Sequence, residues 1–305
     1  MSVVSPHENL AVILERLFDY AGMFPPASLS FEAALAESAR LPQTLKRPSI
    51  MGADLVLDVT NACNLVGRDL ARHSAFTRAI SICLLASEDH GRAVSLAEEL
   101  PASTKGFQSP ISVSSIEAKV QPGSGQSTVE GILKTLADRP ILLALEPDLS
   151  SVDWLDSLHE ALEAARSAKG RVALKCRATG PTGIGPARLA RALSLAADAG
   201  LPFKVTGGFH HPIVEPGIHS YPMGFLNLAA AVLFRRIFGE GLSEERVADM
   251  LTNSLITNFS FARGLAYEDL HLDPVQLRHA KASAPFSIGS CSLTEPDQDL
   301  ARLLP

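Results

Sequence analysis

Short apolar runs recur along the chain, each followed by a stretch with helical spacing, and no other feature narrows the possible folds as far. The runs read YAGMFPPA at 20–27, ADLVLDV at 53–59, TRAISICLL at 77–85 and SSIEAKV at 114–120. They continue with PILLALEP at 140–147, RVALKC at 171–176, LPFKVTG at 201–207 and NFSFA at 258–262. Most are continuously apolar rather than alternating, which is the pattern of parallel strands covered on both faces by helices. The intervening segments, such as DHGRAVSLAEEL, VDWLDSLHEALEAARSAKG and PARLARALSLAADAG, carry helical periodicity. Eight such units in 305 residues fit an α/β fold of the (β/α)8 barrel type. A doubly wound open sheet is the structural rival. Polar residues recur at the C-terminal ends of most strands rather than at one crossover, and this favours the barrel. We therefore expect one barrel domain over 1–305, with a lead-in helix within 1–18 before the first strand and a C-terminal tail over 285–305.

The formal charge of −6 and the lack of a basic stripe argue against nucleic acid as a partner. The apolar stretch GFLNLAAAVLF is too short to span a bilayer and runs straight into Arg235 and Arg236, so no membrane segment is expected. It could pack internally or against a second copy in a homo-oligomer. Four widely spaced cysteines, Cys63, Cys83, Cys176 and Cys291, fit no zinc-binding spacing and suggest a reducing, cytoplasmic setting.

In a barrel, the C-terminal ends of different strands open onto one pocket. That rule gathers Asp58 from the second strand, Glu117 and Lys119 from the fourth and Glu146 from the fifth. It adds Lys175 and Arg177 from the sixth, Lys204 and Thr206 from the seventh, and His210 and His211 just beyond. Residues two apart on a strand share a face, so Lys175 and Arg177 point together, as do Lys204 and Thr206. A lysine between Leu174 and Cys176 must point into the barrel or be buried unpaired. Ion pairing with Glu146 is the plain structural alternative. Two close ammonium groups would disfavour each other's charge and lower at least one pKa, making one amine a nucleophile toward a carbonyl carbon. Glu117, Glu146, Asp58 or His210 could then serve as acid or base. Arg177 and Lys119 would hold an anionic group of the substrate, and the Thr206–Gly207–Gly208 turn could form an anion nest. Asn227, near the start of the following helix, could approach the same pocket, and His211 would sit at its rim.

The motifs KCRATG at 175–180 and FKVTGG at 203–208 resemble those of class I aldolases of the deoxyribose-phosphate aldolase type. In that family a Schiff-base lysine stands on the sixth strand in a K-T-x-T-G setting, and a second lysine precedes a Gly-Gly phosphate turn on the seventh. The resemblance implies Lys175 in the first role, Lys204 in the second, and a phosphate turn at Gly207 and Gly208. Arg177 departs from it, standing where the family has a small residue, and the loop GGFHHPIVEPGIH has no counterpart. Over the whole chain, FDYAGMFPPA, FKVTGGFHHP and GFLN resemble an uncharacterised bacterial protein family, which implies a shared pocket and no particular reaction.

The leading expectation is a lyase that forms a lysine Schiff base with a small oxo-acid or phosphorylated carbonyl compound and needs no cofactor. A second is a metal-dependent lyase or isomerase, with a divalent ion on His210 or His211, His219 and Glu215 and the lysines stabilising an enolate. A third is a non-catalytic barrel that clamps a small anion with Lys175, Arg177 and Lys204.

Overall fold

The computed structural model describes residues 6–66, 79–87, 89–105, 110–137, 139–168, 170–179, 183–215, 223–283 and 285–303. Eight parallel strands form one sheet: β1 (Phe18–Tyr20), β2 (Leu55–Asp58), β3 (Ile80–Ser87), β4 (Ile111–Val120), β5 (Leu142–Pro147), β6 (Val172–Arg177), β7 (Phe203–Thr206) and β11 (Phe286–Ser290). Their order around the sheet is β1-β11-β7-β6-β5-β4-β3-β2. The ends meet through a bridge between Phe18 and Met51, and the Tyr20 N–H donates to the Ala53 carbonyl at 3.0 Å. The result is a nearly closed parallel barrel of the TIM type, as expected from the strand–helix alternation.

Eleven α-helices surround or precede the strands among the described residues. The first, α1 (Pro6–Leu14), comes before β1. The next are α2 (Phe31–Thr44), α3 (Val59–Val66), α4 (His90–Ser103) and α5 (Gly125–Leu136). They are followed by α6 (Trp154–Ser167), α7 (Pro186–Asp198), α8 (Phe225–Phe238), α9 (Glu244–Thr252), α10 (Pro274–Ser283) and α11 (Thr294–Leu303). Several start where a side chain satisfies an orphan N–H. Ser30 Oγ accepts from Ala33, Asp89 from Arg92 and Ser243 from Arg246. Helix α8 is buried continuously from Phe225 to Arg235. Its apolar run is thus core, and no described helix is long and apolar enough to cross a membrane.

The main apolar core lies between the strand ring and the helices, with Leu57, Leu84, Leu143, Leu174, Val205 and Ile288 among its members. Among the described residues the inside of the ring carries one small apolar cluster, Ala53, Val56 and Cys83, with Ala21 and Phe24 packed against it. Much of the remaining interior is small or charged, so the barrel centre is polar by construction.

Both weak ends of the sequence reading shift. The first strand is FDY at 18–20, ahead of YAGMFPPA, where Gly22 and the Pro25–Pro26 pair break the ladder. The segment NFSFA contributes only β8 (Phe259–Ser260), which joins β9 (Leu265–Tyr267) and β10 (Leu270–Leu272) in a separate antiparallel sheet. The eighth barrel strand is instead β11, inside the stretch read as a C-terminal tail. There Phe286, Ile288 and Ser290 are buried, while Ser287 and Gly289 face the barrel interior. Helix α11 then docks through the buried Asp297, which accepts from the Lys46 N–H at 2.7 Å and the Arg47 N–H at 3.2 Å.

Candidate functional site

Strand alternation explains the site. Leu174 and Cys176 point into the outer core, which turns Lys175 and Arg177 inward on β6. By the same rule Lys204 and Thr206 face inward on β7, Ser115 and Glu117 on β4, and Ala144 and Glu146 on β5. Lys175 and Lys204 are register partners on adjacent strands. Asp19 supplies the inward residue of β1.

These side chains form one row of alternating charge. Arg177 Nε donates to Glu146 at 3.0 Å. Glu146 also accepts from Lys175, whose Nζ lies 2.6 Å from Glu117. Glu117 in turn lies 2.5 Å from Lys204 Nζ, which reaches Asp19 at 2.5 Å. Three cations thus interleave with three carboxylates across the barrel. Asp19 ends the row by accepting from the Ala53 N–H at 2.6 Å and the Ser287 hydroxyl at 3.1 Å.

Burying each charge costs several kcal/mol, and such groups persist only with close partners of opposite sign. Burial alone would push the Glu117 carboxyl up, but the ammonium groups on either side hold it well below the usual carboxylate range. Glu146 is lowered against its burial in the same way, by Lys175 and Arg177. Burial opposes the charge on Lys175, yet Glu117 and Glu146 raise its pKa. Lys204 is raised further, against its burial, by Asp19, Cys83 and Glu117. The mutual depression expected of the two lysines therefore does not occur, because Glu117 stands between them. Both are ammonium groups at rest.

Two cavities flank the row. The one at the C-terminal mouth has a volume of about 520 Å³ and is lined by Glu117, Lys175, Arg177, Thr206, His210 and Cys291, among others. The Thr206 hydroxyl has no partner among the described residues, which leaves it as a donor and acceptor for a ligand. Gly207 and Gly208 have φ of +79° and +87°, and a Cβ on Gly207 would stand 2.4 Å from Thr179 Oγ1. The turn after β7 thus needs both glycines, and Thr179 covers it. Lys119 is exposed and lines a smaller rim pocket of about 180 Å³ together with Arg177, Glu146 and Asp148. The other large cavity, about 560 Å³, opens at the N-terminal mouth and reaches Lys204, Asp19 and Lys281.

Three expected site residues belong elsewhere. Asp58 accepts from the Asn61 N–H at 2.8 Å and from its side-chain amide at 2.9 Å, so it caps the first turn of α3. Asn227 is fully buried and donates to the Met250 and Asn253 carbonyls at 2.8 and 2.9 Å, pinning α8 to the end of α9. His211 does not line the mouth cavity; its Nδ1 lies 2.8 Å from Asp299. His210 does line it, with Nδ1 3.0 Å from Glu295. Of the possible metal ligands, His211, Glu215 and Asp299 bring one donor atom each within 4.8 Å of one another. That set fits a hard or borderline divalent cation, but His210 is not part of it and His219 lies outside the described residues.

Thr179, Cys291 and Glu295 are not among the site residues expected from the sequence, and neither is Asp19, whose place ahead of the first strand candidate reads as structural. Asp19 carried the same signal as Lys175, a charge between two apolar strand residues, but only once β1 is placed at 18–20. Cys291 and Glu295 follow the strand that was read as tail.

No protein-family model matches the chain, and no curated protein matches it at a significant level.

Proposed function

We propose that the protein is a lyase that binds a small anionic carbonyl compound, an oxo-acid or a phosphorylated aldehyde or ketone, and holds it as a Schiff base on Lys175. The observation that carries this reading is the position of Lys175 on the floor of the C-terminal cavity, between two carboxylates able to take its proton. Lys204 lies beyond Glu117 and lines the opposite cavity, so it serves the row rather than the substrate.

The chemistry follows from that placement. At rest Lys175 is protonated and cannot attack. As a carbonyl carbon approaches, the proton passes to Glu146 or Glu117, and the freed amine lone pair forms the C–N bond. A second N–H proton moves to the carbonyl oxygen to give the carbinolamine. The carboxyl then returns the first proton to that oxygen, which leaves as water from a protonated imine. Arg177, whose guanidinium is one-third exposed, would anchor the carboxylate or phosphate. Lys119 would add positive charge at the rim, and Thr206 would hydrogen-bond the carbonyl compound. The resemblance of KCRATG and FKVTGG to the aldolase motifs supports the same assignment.

The test is intact-protein mass after sodium borohydride reduction with a panel of small aldehydes and 2-oxo acids. The expected result is a single adduct, mapped to Lys175 and absent from Lys175→Arg, a variant that retains the positive charge between Glu117 and Glu146. Loss of the adduct only in Lys204→Arg would reverse the assignment. An anion-binding barrel without turnover is the alternative reading, favoured by the resting charge on both lysines. It predicts saturable binding of 2-oxo acids with no adduct on any lysine.

A further inference from the structure

The wall of the C-terminal cavity carries a second set of groups that the lysine chemistry does not use. Cys291 follows β11, and its Sγ lies 3.9 Å from Nε2 of His210 in the loop after β7. The other ring nitrogen of His210, Nδ1, lies 3.0 Å from Glu295 in the first turn of α11. An Nδ1–H donated to Glu295 leaves the Nε2 lone pair directed toward the thiol. Nucleophile, base and orienting carboxylate thus come from three separate elements, in the order that general-base activation requires. Both Cys291 and His210 line the cavity, so a bound molecule reaches them.

We propose that Cys291, His210 and Glu295 form a thiol site that adds reversibly to small aldehydes entering this cavity. In the addition the sulfur–carbon bond forms as the carbonyl π pair moves to oxygen. The thiol proton passes through His210 Nε2 to that oxygen, giving a hemithioacetal; nothing leaves, and no oxidant or reductant is consumed. Addition without a leaving group suits an aldehyde, whose carbon is the most electrophilic among simple carbonyl compounds. Burial pushes the Cys291 thiol up, opposed in part by the backbone N–H groups of Ala27 and Cys291. It is therefore protonated at neutral pH, and its nucleophilicity depends on a neighbouring base. The site does not rest on the Schiff-base reading, since Lys175 takes no part in it.

The test measures carbamidomethylation by iodoacetamide at neutral pH, with each cysteine followed by peptide mass. In His210→Gln, labelling of Cys291 is expected to slow by about a hundredfold, the lower end of the range for a lost general base. In Glu295→Gln it should slow by a smaller factor, as for a positioning residue. Cys63, Cys83 and Cys176 act as internal controls: a loosened fold would speed them, whereas loss of the base slows Cys291 alone. Equal Cys291 rates in wild type and His210→Gln would overturn the proposal. The aldehyde arm uses propanal in the Lys175→Arg variant, where no Schiff base can form at that position. Propanal is expected to protect Cys291 in a concentration-dependent and reversible manner, and an unchanged rate would sink the aldehyde assignment. The borohydride adduct on Lys175 is read separately, so either idea can fail alone.

Discussion

The two mouths of the barrel each hold a lysine beside a large cavity, one buried and one half-buried, and they treat it in opposite ways. At the C-terminal mouth, Lys175 sits between Glu117 and Glu146, and its pKa is raised although it is almost fully buried. At the N-terminal mouth, Lys281 on α10 donates to the Ile13 carbonyl at 3.1 Å and lies 4.1 Å from the centre of the Phe286 ring. No carboxylate is ion-paired with it among the described residues, and burial lowers it to about 8. Burial acts in the same direction on both amines. The partners decide the outcome: two carboxylates in contact outweigh desolvation, while a carbonyl, an aromatic face and the charge of Glu15 beyond ion-pair distance do not.

The largest effect should come from removing the group that sets the two mouths apart. Glu117→Gln leaves Lys175 and Lys204 facing each other without their shared counter-charge. It should cost about 3–5 kcal/mol, the range for breaking a buried ion pair, as read by urea denaturation. It should also let one lysine titrate nearer neutrality, restoring the mutual depression that Glu117 suppresses. If stability is unchanged, the row is not what holds the interior together.

The opposite sign is expected at the other mouth. Because the folded value of Lys281 lies below its unfolded one, protonation is penalised in the native state, and the penalty is complete below about pH 8. Lys281→Met should therefore stabilise the protein at pH 7 by roughly 1–3 kcal/mol, less whatever the lost carbonyl bond contributes. The gain should disappear above the ordinary lysine value of 10.5, where neither state holds the proton. A loss of stability at pH 7 would mean that the helix-end contact outweighs desolvation.

The acid and alkaline limbs sharpen the contrast further. Glu117 and Glu146 are lowered, so their contribution is complete above the ordinary value of 4.5 and drains as the pH falls toward their folded values. Lys175 and Lys204 are raised, so theirs is complete below 10.5 and drains as the pH climbs toward theirs. A plateau from about pH 4.5 to 9.0 is expected in thermal melts of the Lys281→Met variant, which removes a lysine of opposite effect. Above 9.0 the buried thiols of Cys83, Cys176 and Cys291, raised in the folded state, begin to favour unfolding. The smallest effect should come from Asp58→Ala, costing about 1 kcal/mol as a lost helix cap. It should leave borohydride trapping unchanged, because Asp58 lies outside the row.

The barrel was readable from the sequence where strands are long and apolar, as at LVLD, LLALEP and VALKC. It was not readable at the seam. FDY is three residues long, and FSIGS puts a serine and a glycine on its inward face, so neither shows the run of large apolar residues that marks the other strands. Lys175, Lys204, Glu117 and Glu146 were legible because a charge inside a doubly covered strand has few places to go. Their pairing was not, since period two gives the face of each residue but not which neighbour across the barrel it meets. Asp58 and Asn227 misled for a common reason. Backbone donors at the start of α3 and backbone carbonyls at the end of α9 need polar side chains, and sequence position alone does not separate those duties from catalysis.

The six-membered row also bears on how a covalent step could occur so deep in the protein. It holds three positive and three negative charges, so it is electroneutral without any ion from solvent. A primary ammonium that becomes a protonated imine keeps its unit of charge. Bonding a carbonyl carbon to Lys175 in that form would leave Glu117 and Glu146 facing the same electrostatic landscape as before. The bond itself would call for no counter-ion; only the anionic group of the substrate would add charge, and it would do so at the exposed rim beside Arg177 and Lys119.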